Sequence, residues 1–230
     1  MTALIGKELT CLDSNKRLIN IMSVLFVEKA GEWGHLHPFR LINPGQEVTR
    51  NMDVREVSLS VFFAGLYAVF LVFLAPISFG PVQLRIADCL LPLAALFGWP
   101  VIFGATIGCL IGNFAGGIIA FGAANPIDVI FGSIANLIAT YVIFKSRRYR
   151  LLGCILGSLI IGIIVGGYLW LFVPAPTIGG FSLPAWAAMM ISISISSLVA
   201  VAVIGYTLLL AISRPSVIKP IKSKGLKVYT

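Results

Sequence analysis

Acidic side chains are almost missing from the long apolar part of this chain. Residues 57–213 hold two of them, Asp88 and Asp128, and no histidine; His35 and His37 come earlier. A stretch so poor in proton-transfer groups is a poor setting for acid–base or metal-dependent catalysis. The four cysteines (Cys11, Cys89, Cys109, Cys154) include no CxxC pair. Three of them lie in apolar runs, so they read as small hydrophobes rather than as a zinc site or a disulfide framework. GxxxxGK[ST], HExxH and GxSxG are absent, so ATP hydrolysis by a phosphate loop, zinc proteolysis and serine hydrolysis have no motif to rest on. These absences imply no enzyme and no cofactor.

Polar surface is also lacking. Charged residues make up 11% of the chain, hydrophobic ones 58%, and mean hydropathy is +0.98. A water-soluble domain of this length could not cover its core with so few polar groups. The net charge of +8 sits mostly outside the apolar runs. It therefore reads as topology signalling at a lipid bilayer rather than as nucleic-acid binding.

What remains is an all-α membrane protein, a bundle of six transmembrane helices over about residues 57–75, 84–98, 101–121, 126–144, 151–173 and 185–212. The second span is short and Pro92 should kink it. Domain boundaries follow: an N-terminal extension (1–51) with no assigned role, a six-helix domain (52–213) and a basic tail (214–230). A translation start at Met52 would remove the extension. His35 and His37 fit a solvated loop better than a metal pair.

Basic clusters lie before span one, after span four and after span six. Six crossings put all three on one side, which the positive-inside rule makes cytoplasmic, together with both termini. The loops 76–83, 122–125 and 174–183 fall on the other side. Arg85, Asp88, Asn125 and Asp128 gather near that outer end, which implies a polar pocket facing outward. Arginine and aspartate each cost about 2.5–3.5 kcal/mol at mid-membrane, so they should face the bundle interior. A salt bridge from Arg85 to Asp88 or Asp128, tying helices together, is the purely structural alternative.

Two further patterns recur at helical spacing. Asn125, Asp128, Gly132, Asn136 and Thr140 share one face of span four, and Asn113 lies beside the glycine stripe 104, 108, 112 and 116 of span three. Ser60, Ala64 and Ala68 form a small-residue stripe on span one. Such stripes permit close helix approach. Both internal packing and docking of a partner helix remain open for the stripe on span one.

The segments LAPISFGPVQLRIADCLLPL, FGATIGCLIGNFAGG and NPIDVIFGSIANLIATY closely resemble the queuosine-precursor transporter (QueT-type) family. These are substrate-binding S components of energy-coupling-factor (ECF) transporters. The resemblance is closest over residues 54–148. It implies a six-helix bundle that captures its substrate under the first loop. It also implies an ECF transmembrane coupling subunit docked on Ala64 and Ala68, and two ATPase subunits that supply the missing motor. Residues 1–50 are additional to the family pattern, and Asp88 stands where glutamate is more usual. An S component for another vitamin or nucleobase would share the fold. A structural membrane protein, a third reading, would use its stripes for packing alone.

The 7-deazaguanine ligand that the resemblance implies makes chemical sense of the polar residues. Asp128, flanked by Asn125 and near Asn136, would take the paired N–H donors of a guanine-type edge. Arg85 or Asn113 would serve its carbonyl, Phe79 or Trp170 would cover the ring, and Asp88 would balance an aminomethyl cation.

Overall fold

The computed structural model describes residues 53–79, 83–174, 176, 183–223 and 225–229. The N-terminal extension with His35, His37 and Cys11, and parts of the loops 76–83 and 174–183, lie outside the described residues. The described residues are helical, with no strand. Five helices are long and apolar enough to cross a membrane, and a sixth apolar helix is shorter.

Helix α1 (Val54–Phe73) ends at Leu74 and is followed by a single turn, Ala75–Ser78. The short helix α2 (Ile86–Phe97) is 3-10 from Ile86 to Leu93, with Pro92 inside it, and becomes α-helical only over Ala94–Phe97. It closes on Gly98, whose φ of 68° is a left-handed conformation that glycine adopts freely. The expected short second span is thus present as a tight helix, and Pro92 lies within its 3-10 part. Residues 87–98 are all buried. Helix α2 is the centre of the bundle, wrapped by its longer neighbours, which is why a segment bearing Arg85 and Asp88 can exist here without facing lipid.

Helix α3 (Trp99–Phe121) has Pro100 in its first turn, where the missing N–H costs nothing. Helix α4 (Pro126–Lys145) begins with Asn125, whose Oδ1 accepts from the Ile127 amide at 3.0 Å, and with Pro126. After a turn at Arg147–Tyr149 comes α5 (Arg150–Leu169), then α6 (Ala185–Ile212), in which Leu198–Gly205 is π-helical. The bulge packs on α2: a Cβ at Gly205 would stand 2.8 Å from both the Cys89 carbonyl oxygen and Pro92 Cγ. A final short helix, α7 (Pro215–Ser223), belongs to the basic tail. Beyond it the Tyr229 amide donates to the Leu96 carbonyl at 2.8 Å, its ring meets Phe144 at 5.2 Å, and the Arg147 guanidinium lies 5.1 Å from it. The end of the tail is therefore packed on the bundle.

The two small-residue stripes meet. A Cβ on Gly104 would lie 2.6 Å from the Ser60 carbonyl oxygen, and one on Gly108 would lie 2.6 Å from that of Ala64. Neither backbone could move aside, so glycine is required for α1 and α3 to pack this closely. Large apolar side chains such as Phe62, Phe73, Phe103, Ile111 and Phe114 point outward from this pair. That outward apolar surface suits lipid and would be a liability in water.

Candidate functional site: a buried polar cluster beside a small cavity

Asp128 occupies the first turn of α4, where free amides and the helix dipole favour a carboxylate. Arg85 enters α2 opposite it. Its Nη2 lies 3.2 Å from Asp128 Oδ1 and 3.3 Å from Oδ2, and both side chains are nearly inaccessible. From α5 the Tyr168 hydroxyl donates to Asp128 Oδ1 at 2.7 Å. From α3 the Asn113 Nδ2 donates to the Asp128 main-chain oxygen at 3.1 Å and approaches Cys109 Sγ at 3.4 Å. Three other elements thus converge on this one residue of α4. Gly132 makes the room: a Cβ there would lie 2.6 Å from Asn113 Nδ2 and 3.4 Å from Arg85 Nη1.

A second group involves Tyr67. Its hydroxyl donates to Asp88 Oδ1 and accepts from Asn136 Nδ2 at 2.7 Å. Tyr67 and Asp88 have no exposed surface, and Asn136 almost none. Asp88 Oδ2, Arg85 Nε, Asn113 Oδ1, Gln83 Oε1 and Ser78 Oγ are buried without a hydrogen-bond partner among the described residues. Native interiors satisfy nearly all such atoms, so these five are exceptions among the described residues.

Beside Asp128 lies a cavity of about 250 Å³. Its aromatic walls are Phe79, Phe121 and Phe172; Gln83, Asn113, Asn125 and Asp128 supply the polar groups; Gly117, Ala123, Leu169 and Val173 complete it. Phe79 meets Phe121 edge to face at 6.1 Å and stands 5.9 Å from the Arg85 guanidinium. Aromatic walls with a few convergent polar groups suit a flat heterocycle, and the volume suits one smaller than a typical drug.

Of the residues singled out from sequence, Phe79, Asn113, Asn125 and Asp128 line this cavity, and Arg85 pairs with one of them. Asp88 and Asn136 are instead joined to Tyr67, away from the cavity wall. Trp170 does not line the cavity; it is partly exposed and its indole N–H donates to the Gly167 carbonyl at 3.0 Å. Asn113, expected to donate to a ligand carbonyl, has its amide nitrogen engaged by Asp128 and presents only an oxygen. Ala64 is buried against Gly108. Tyr67, Tyr168 and Gln83 were not singled out from the sequence. The first two could have been found as phenols within otherwise apolar spans. Among the described residues no group of three or more His, Cys, Asp or Glu could hold a metal ion.

The fold and the cavity together define a multi-pass helical membrane protein with a small, largely apolar pocket beside a buried polar cluster. A family model described as QueT transporter matches residues 57–214, and the chain belongs to this transporter family, which is not a class of enzymes. The chain has no significant match among curated proteins or solved structures.

Proposed function

We propose that this chain is the substrate-binding S component of an ECF transporter and captures a queuosine precursor, a 7-deazaguanine base, in the cavity beside Asp128. The observation that carries the reading is the Asp128 carboxylate at the wall of an aromatic-lined cavity in a member of the QueT transporter family. A guanine-type edge offers paired N–H donors, and a carboxylate is the acceptor that matches them. Phe79, Phe121 and Phe172 would cover the ring faces. Asp128 is held by Arg85 and Tyr168, so the base would share or replace those bonds. Arg85, once released, could serve the ligand's carbonyl.

Energy for uptake would come from a coupling subunit and two ATPase subunits. Their contact would lie along α1, where an apolar groove between α1 and α3 is lined by Val57, Val61, Ala64, Gly65, Phe103 and Ile107, with Ala68 one turn further on. The basic clusters at 147–150 and in the tail support a cytoplasmic position for both termini, which would leave the cavity at the outer end. The domain division at residues 51 and 213 is kept in this reading.

Mass spectrometry of small molecules carried through purification, followed by calorimetric titration of the purified chain with the base identified, tests the proposal. A 7-deazaguanine binding at micromolar concentration is expected. Recovery of an unrelated vitamin at that affinity would overturn the substrate assignment.

A further inference from the structure

The cavity wall carries two amide oxygens with no hydrogen-bond partner among the described residues. Asn113 is 1% exposed, and its Nδ2 is committed to the Asp128 main-chain oxygen. A carbonyl oxygen only accepts, so the amide cannot be turned round, and Oδ1 faces elsewhere with no partner among the described residues. Gln83 lines the same cavity, is 4% exposed, and its Oε1 is also unpartnered among the described residues. With the Asp128 carboxylate, three acceptors border one small space.

Gln83 is unusual in its backbone as well. Its φ of 49° makes it the one non-glycine residue with positive φ among those described. Ser196 of α6 holds it there, donating its hydroxyl to the Gln83 carbonyl at 2.8 Å. Glycine would adopt this conformation without strain. A larger side chain kept in a strained position, with its oxygen buried and unmatched, points to work done by that side chain.

We propose that Gln83 is a specificity-determining ligand contact. Together with Asn113 it accepts hydrogen bonds from N–H groups of a flat heterocycle, while Asp128 takes the paired or charged donors. The ligand class is therefore a ring carrying N–H donors on at least two edges. This inference rests on the reading of the cavity as the ligand site.

Gln83→Gly and Gln83→Glu, in the full chain, test it by calorimetry and thermal melting. The probes are 7-deazaguanine, its analogue without the exocyclic amine, and its ring-N-methylated analogues. Gln83→Gly should melt no lower than the wild type, because the backbone suits glycine, yet bind the parent base roughly five- to hundredfold more weakly. That penalty should vanish for the one analogue lacking the donor that meets Gln83. Gln83→Glu, which keeps an acceptor, should bind at least as tightly as the wild type. Equal affinity of Gln83→Gly and wild type, or the same penalty with every probe, would overturn the role of Gln83 alone. A wild-type chain that binds none of these probes at millimolar concentration would overturn both the inference and the ligand-site reading.

Discussion

Arg85 Nη2 lies 3.2 Å from Asp128 Oδ1 inside the bundle, and the Tyr168 hydroxyl reaches the same oxygen at 2.7 Å. A buried ion pair gains little net stability, because desolvation offsets most of its attraction. Breaking it is another matter. Either Arg85→Gln or Asp128→Asn leaves a buried charge unpaired and should cost about 3–5 kcal/mol of stability. The double variant should recover part of that loss. Thermal melting of the three variants measures the coupling, and additive losses would mean that the pair is not formed in the membrane.

The Tyr67 hydroxyl joins Asp88 to Asn136. Tyr67→Phe keeps the ring and removes both bonds, leaving Asp88 with neither oxygen paired. A destabilisation of about 1–3 kcal/mol is expected. Adding Asp88→Asn should restore part of it, since a neutral amide is cheaper to leave unpaired than a carboxylate. Melting of Tyr67→Phe at the wild-type temperature would show that this group is solvated.

Packing of α1 on α3 predicts a sharp contrast between two glycines. Gly108→Ala puts a Cβ 2.6 Å from a backbone oxygen, whereas Gly65→Ala meets nothing within 4 Å. The first should lower the yield of folded protein and its melting temperature markedly. The second should leave both within about 0.5 kcal/mol of the wild type. Similar behaviour of the two would contradict the mating of the stripes.

Gly65 also offers a cleaner probe of the proposed docking face than Ala64, whose enlargement would disturb Gly108. Gly65→Trp fills the groove from the lipid side. Uptake in cells carrying the partner subunits should fall at least tenfold while ligand affinity of the isolated chain holds. Unchanged uptake would remove α1 from the interface.

Much of this was legible in the sequence, and the rest failed for identifiable reasons. Arg85, Asp88 and Asp128 stood out because charge is rare in an apolar run, and that rarity does reflect burial inside the bundle. Both small-residue stripes were visible from their spacing of four. Their mating was not, because spacing reveals a face and not its neighbour. Tyr67 and Tyr168 passed as ordinary apolar residues, since a phenol counts as polar only when its hydroxyl has a partner. Gln83 follows a Pro/Gly segment that reads as a turn, and only its backbone angle and burial distinguish it. Trp170 was singled out as a ring near the right depth, but its helical turn directs it away from the cavity. The second span is legible as short and apolar, and the sixth, shorter apolar helix, Ile86–Phe97, lies there; its 3-10 winding and complete burial from residue 87 onward are not visible in hydropathy.

The central claim is that Asp128 receives the donor edge of a 7-deazaguanine base, and calorimetric titration of Asp128→Asn with that base tests it most directly. Loss of a charge-assisted bond predicts affinity lower by about ten- to hundredfold, on the order of 1.5–3 kcal/mol, in a variant first shown to be folded by melting. Affinity equal to that of the wild type would contradict the account and leave Asp128 as a structural partner of Arg85 alone.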